Sequence, residues 1–243
     1  MNPKILRISL IAALAGFLFG FDTVVISGAE KKLQALRETS DASHGTVVIG
    51  MALFGTVIGA IFGGIPTNRI GRKKTLFWIG VLYTLSAIGS ALANDPVSFG
   101  IFRFLGGLGI GASTVAVPTY VSEIAPARQR GRLVGLYQFN IVFGILIAFF
   151  SNYLLNGIGE NDWRWMVGVE AIPAFLYTVF ALGLPRSPRW LLTRGESGEA
   201  ARVLELAERH ARNYWLWPLQ WQLELTRARA VPEQKEPSLE TAA

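Results

Sequence analysis

Three ionisable residues stand inside stretches that are otherwise apolar: Asp22, Arg103 and Glu170. Placing such a group near the centre of a membrane helix costs about 2.5 to 3.5 kcal/mol on insertion scales, so it is expected to pair with another charge or to serve a pathway. Counted along their apolar runs, the three lie about six residues from the same end. At about 1.5 Å per residue this is roughly 9 Å below one face of a bilayer. An Arg between two carboxylates holds both ionised, and protonating either acid weakens the contact and frees part of the bundle to move. The chemistry on offer is therefore a proton switch. A static ion pair that only fixes helix packing is the other reading of the same residues.

The elements that must carry these groups follow from composition. Of 243 residues, 51% are hydrophobic and 16% charged, and the mean hydropathy is +0.37. The apolar residues are bunched into runs near the ~20 residues that span a hydrocarbon core of about 30 Å. Spans are expected at Ile5 to Gly28, Thr46 to Pro66, Thr75 to Ala93, Ser98 to Ser122, Leu133 to Leu155 and Arg164 to Leu184. The first follows Lys4 and Arg7 as a signal peptide would, but it runs too long for one and is read as a retained helix.

Basic residues near helix ends tend to remain in the cytoplasm. Lys4 and Arg7, Arg69 to Lys74, Arg128 to Arg132, and Arg186, Arg189 and Arg194 fall on one side. Opposite them are Lys31, Lys32 and Arg37, mixed with Glu30, Glu38 and Asp41, and Arg164. Both termini are thus expected in the cytoplasm. The two triplets of helices then cross in opposite senses, as inverted repeats do.

The net charge of +6 is distributed between the apolar runs, which favours a lipid bilayer over nucleic acid as partner. With no cysteine and two histidines, neither a disulfide framework nor a structural zinc centre is expected. Gly107 to Gly111 could pass for a nucleotide loop, but it lies within an apolar helix and follows no strand. Nor is there a phosphate-binding loop or a serine elbow, so no cofactor and no enzymatic activity are expected. Gly16 and Gly20, Gly55, Gly59 and Gly63, and Gly107 and Gly111 recur every four residues, a spacing that lets helices approach closely. Pro118 and Pro173 are expected to loosen the fourth and sixth helices.

The loop Gly64 to Lys74 resembles the signature loop of the major facilitator superfamily. Further segments resemble its sugar porter branch: Gly20-Phe21-Asp22, Arg103 to Gly111, Pro118 to Pro126, Arg130-Gly131, Trp163-Arg164-Trp165 and Pro185 to Trp190. Their order and spacing cover residues 14 to about 205. The resemblance implies an all-α integral membrane protein of the cell membrane: the six-helix N-terminal bundle of a two-bundle, alternating-access transporter of a monosaccharide and a proton. It implies that Asp22 titrates with Arg103 as partner, that Phe19 and Gln138 contact sugar with Ile141 and Ile145 on the same helix face, and that Arg69, Gly71, Arg72, Glu123, Arg130 and Arg189 form a cytoplasmic gate.

Two positions depart from the family pattern, Asn68 where an Asp is usual and Arg186 where a Glu is usual, each removing a negative partner for groups such as Arg72, Arg130 and Arg189. The expected organisation is a bundle over residues 1–184, a cytoplasmic motif with an amphipathic helix at Glu199 to Arg212 over 185–212, and a Trp-rich, interfacial or disordered tail over 213–243. No further apolar span follows, which points to a separate C-terminal half or a second copy as partner, or to a truncated or regulatory half-bundle without transport of its own.

Overall fold

A computed structural model of the chain describes residues 3–37, 50–126, 129–159 and 161–208. It is helical, with no strand among the described residues. The helices are α1 (Pro3–Arg37), α2 (Met51–Phe62), α3 (Gly64–Arg69), α4 (Arg72–Leu92), α5 (Pro96–Ile124), α6 (Arg130–Leu155), α7 (Asp162–Gly168), α8 (Ala171–Leu182), α9 (Pro188–Thr193) and α10 (Ser197–Glu208). Among the described residues, six spans are long and apolar enough to cross a membrane: Pro3–Gly28, Met51–Arg69, Arg72–Leu92, Pro96–Ile124, Arg130–Leu155 and Asp162–Leu182. Each matches an expected run, with shifted ends.

The largest shift is at the first helix, expected to stop at Gly28 but continuous to Arg37. Its extension, Ala29 to Arg37, is polar yet made of good helix formers with no proline, so the end of the apolar run is not the end of the helix. Two spans are interrupted. α2 gives way to α3 around Gly63, four residues after which Thr67 is preceded by Pro66. α7 gives way to α8 at Val169 and Glu170. Pro173 has no N–H to offer the Val169 carbonyl, which instead accepts from Ile172 N at 3.2 Å. Pro173 therefore loosens its helix as expected, whereas α5 is continuous through Pro118.

The glycines at four-residue spacing lie where backbones nearly touch. A Cβ on Gly20 of α1 would run into the Ile141 carbonyl of α6. Cβ atoms on Gly107 and Gly111 of α5 would run into the Ala52 and Thr56 carbonyls of α2. α1 thus lies parallel to α6, and α2 parallel to α5. α4 packs on α8, with Gly80 against Tyr177 and Thr178. The main core lies between α1, α4, α5, α6 and α8, around Leu18, Ile79, Tyr83, Val117, Tyr120, Leu133 and Tyr177. Outside it, α2 leaves Leu53, Phe54, Val57 and Ile61 exposed, and α6 leaves Phe139, Val142, Leu146 and Phe150 exposed. Such faces require lipid or another bundle.

The expected amphipathic helix is α10, beginning at Ser197. The rest of that segment, and the Trp-rich and terminal stretches expected over 213–243, lie outside the described residues.

Candidate functional site

The three intramembrane charges meet. α1 carries Asp22, α5 carries Arg103, and the loosened turn between α7 and α8 carries Glu170; they are 2%, 3% and 1% exposed. Arg103 Nη1 donates to Asp22 Oδ1 in a short, buried ion pair. Its Nη2 reaches the Asp22 main-chain oxygen at 3.4 Å. Glu170 stands close enough to feel both charges. The triad expected from sequence therefore assembles, but unevenly. Arg103 grips Asp22, while neither oxygen of Glu170 has a hydrogen-bond partner among the described residues, and Asp22 Oδ2 and Arg103 Nε have none either. With both acids ionised the cluster carries one excess negative charge, and a buried uncompensated charge is costly. One bound proton would remove it.

Small residues make the room. A Cβ on Gly106 of α5 would press on Ser86 and come within 4.0 Å of Asp22 Oδ1. Tyr83, Ser86 and Ser90 follow one face of α4 at i, i+3 and i+7, all buried. Sequence reasoning passed over them; the signal was three hydroxyls at helical spacing in an otherwise apolar span. Ser113 on α5 donates to the Ile110 carbonyl at 2.7 Å and lies 3.0 Å from the Tyr137 hydroxyl of α6. A serine has one proton to give, so Tyr137 is the donor of that second bond.

The residues assigned to sugar contact lie on the neighbouring α1–α6 seam. Gln138 is exposed, and Ile141 and Ile145 are half-buried on the same face of α6. Phe19 of α1 is half-buried and, like Ile141, packs on the main core. An amide on an open face can both donate to and accept from hydroxyl groups.

The residues assigned to a gate gather at the end of the bundle where α3 meets α4. Arg72 binds Glu123 with both prongs, Nε to Oε2 at 2.9 Å and Nη2 to Oε1 at 2.8 Å, and its Nη1 donates to the Thr67 carbonyl at 3.1 Å. Ser187 donates to Glu123 Oε2 at 2.5 Å and caps α9 by accepting from Trp190 N at 3.2 Å. Gly71, at φ +88°, lies under the Trp190 ring, where any Cβ would be 3.0 Å from it. Trp190 Nε1 donates to the Asn68 carbonyl at 2.9 Å, and Arg194 Nη2 to the Arg69 carbonyl at 2.7 Å. Arg69 and Arg189 have exposed side chains, and Arg130 Nε is buried without a partner. Thus Arg72, Glu123 and Gly71 are brought together, Arg69 joins through its backbone, and Arg130 and Arg189 stand apart.

The two departures from the family pattern have distinct outcomes here. Asn68 contributes its carbonyl, which any residue supplies, and Arg72 keeps Glu123 as its partner. Arg186 donates to Glu196 at 2.8 Å and Glu199 at 3.2 Å, tying the loop before α9 to the start of α10. Ser187 and Trp190 were the residues missed; a serine directly before Pro188, which starts α9, was the available cue.

Comparison with known proteins accords with this geometry. The chain is 44% identical over 211 residues to the glucose transport protein of Synechocystis, covering 82% of this chain and 45% of that protein. It is 36% identical over 234 residues to the D-xylose-proton symporter of Escherichia coli K12, covering 84% and 48%. The structure of the proton:xylose symporter XylE bound to 6-bromo-6-deoxy-D-glucose superposes with a TM-score of 0.81 at 32% identity, covering 94% of this chain and 54% of that one. The chain spans about half the length of the relatives it matches. Six apolar spans, packed as in XylE, make it a multi-pass membrane protein. Residues 8–213 match the family described as Sugar (and other) transporter, and with that match and the shared fold the chain belongs to that family, within the major facilitator superfamily.

Proposed function

We propose that this chain forms the N-terminal bundle of a monosaccharide/proton symporter that works by alternating access. The observation that carries the reading is the buried Asp22–Arg103 pair with Glu170 unbonded beside it. A cluster with one excess negative charge takes up one proton, and loss of that charge relaxes the hold of Arg103 on α1. Asp22, Arg103 and Glu170 are the coupling residues, while Phe19, Gln138, Ile141 and Ile145 supply this bundle's share of the sugar site. The basic end faces the cytoplasm, following the distribution of Lys and Arg. There Arg69, Gly71, Arg72, Glu123, Arg130 and Arg189 belong to the gate.

The exposed faces of α2 and α6 take a second six-helix bundle, either a C-terminal half or another copy. The named relatives transport glucose and xylose, the latter with protons, which supports a monosaccharide as substrate. The measurement is uptake of labelled hexoses and pentoses by proteoliposomes holding this chain, with external pH recorded. Sugar entry with proton uptake, both lost in Asp22→Asn, is the expected result. Flux without proton movement would overturn symport; no flux from the chain alone, restored by adding a C-terminal half, would assign it to a two-chain transporter. No flux in either setting would favour a regulatory half-bundle.

A further inference from the structure

We propose that Trp163, clamped by Arg164, is a plug that closes the Asp22–Arg103 pair to water from the end of the bundle away from the gate. That protons therefore reach the pair only from the side facing the second bundle rests on the proton-coupling reading above; the plug itself does not.

Helical spacing sets the plug. Asp22 and Ile26 are i and i+4 on α1, Phe99 and Arg103 are i and i+4 on α5, and Val167 precedes Glu170 by three residues, spacings that put each pair on one helix face. In each case the apolar member is the one nearer the α4–α5 connection, which lies at the end away from the gate. Ile26, Phe99 and Val167 form one buried cluster with Trp163 and with Ala93 of that connection. One turn, about 6 Å, thus separates the charged residues from an apolar layer. Trp163 is the largest member of that layer, 2% exposed, with its indole edge-on to the Phe99 ring at 6.4 Å between centroids.

Arg164 holds the indole in place. Its Nη1 donates to the Ala91 carbonyl at 2.7 Å and its Nη2 to Asn94 Oδ1 at 3.0 Å, while the guanidinium carbon stands 4.6 Å from the centre of the Trp163 ring. Ala91 belongs to the last turn of α4, where carbonyls lack helical partners and the helix end attracts cations. The other end of α7 returns to the same residue, since a Cβ on Gly168 would be 3.1 Å from the Ala91 Cβ. α7 is therefore fixed to α4 at both ends, and the indole leaves the cluster only if the Arg164 bonds break. A filled apolar layer stays dry and bars ions and water. Without it, protons would reach the acids from this end with no sugar bound.

The chain has no cysteine, so single cysteines report water access directly. Ser86 marks the charged layer, because a Cβ on Gly106 would lie 2.4 Å from Ser86 Oγ and 4.0 Å from Asp22 Oδ1. The measurement is the rate at which a charged methanethiosulfonate labels Ser86→Cys in the full chain in lipid nanodiscs; Ser90→Cys, on the same face of α4, serves if Ser86→Cys does not fold. Labelling is expected to be slow with Trp163 and Arg164 in place. Adding Trp163→Ala should speed it about tenfold or more, as local opening replaces a packed barrier. Arg164→Gln, which keeps the indole and removes only its clamp, should speed it too, and Arg164→Lys, which can still reach the Ala91 carbonyl, should restore most of the protection. Ser113→Cys, buried about 15 Å along α5 from Arg103, should label equally slowly in every background. Fast labelling of Ser86→Cys with the plug intact, or a rate unmoved by both Trp163→Ala and Arg164→Gln, overturns the plug. So does an equal rise at Ser113→Cys, which would mean a loosened bundle. Proton uptake that survives Asp22→Asn overturns proton coupling, and leaves the plug standing if the labelling pattern holds.

Discussion

Arg103 of α5 is hydrogen-bonded to Asp22 of α1 and not to Glu170, although all three are buried together. The asymmetry divides the work between the acids. Asp22 holds α1 to α5 through a charge pair, and Glu170 sits on a turn already loosened by Pro173. Neutralising either acid alters one contact between helices that belong to opposite triplets of the bundle, α1 to the first and α5 and Glu170 to the second.

Removing Arg103 alone strands two buried carboxylates. Arg103→Met is expected to destabilise the detergent-solubilised chain by about 3 to 5 kcal/mol, as for one partner lost from a buried pair. The double variant Arg103→Met with Asp22→Asn should recover much of that loss. Thermal unfolding of the four members of the cycle gives the coupling, and additive losses would mean that the pair contributes nothing net.

Backbone approach at Gly20 leaves no space for a methyl group. Gly20→Ala should force α1 from the Ile141 carbonyl and cost about 1 to 3 kcal/mol or more. Gly135→Ala, with nothing within 4 Å of its Cβ position, should be neutral or slightly stabilising in a helix. Yield of monodisperse protein and its unfolding temperature separate the two.

Glu123 receives Arg72 and Ser187 together, so Glu123→Gln should release α9 and α10 from the bundle. Hydrogen exchange over Pro188–Thr193 and Ser197–Glu208 should rise, with a loss on the order of 2 kcal/mol from charge-assisted bonds. Ser187→Ala should lose about half as much.

Restoring the family's usual acid at position 186 should harm this chain. Arg186→Glu would place a third carboxylate beside Glu196 and Glu199. Exchange over α10 is expected to increase by a factor of a few, since exposed pairs are worth about 0 to 1 kcal/mol, and the effect should shrink at high salt. Unchanged exchange would show that Ser187 and Trp190 alone hold the segment.

Gln138 is exposed and its amide is available to hydroxyl ligands. Gln138→Ala should weaken sugar binding about tenfold, near one hydrogen bond's worth, while changing stability by less than about 0.5 kcal/mol. Equal losses in binding and stability would make Gln138 a packing residue.

Composition along the chain determined how many spans there are, because crossing a hydrocarbon layer requires a long local run of apolar residues and nothing from the rest of the molecule. The depth of Asp22, Arg103 and Glu170 was legible for the same reason, since helical rise converts a residue count into a height. The glycine spacing announced close helix contacts, and the loop around Gly71 and Arg72 announced the family. The sequence did not show that α1 continues past its apolar stretch, because helix propensity and membrane burial end at different residues.

Partners across the bundle belong to tertiary structure. Depth is one coordinate, but a bond needs the rotation of each helix about its axis and the lateral order of the helices, and both are set by packing among distant segments. Only the fold decided that Arg103 takes Asp22 and not Glu170, and that Arg186 finds Glu196 and Glu199 in place of the family's arrangement.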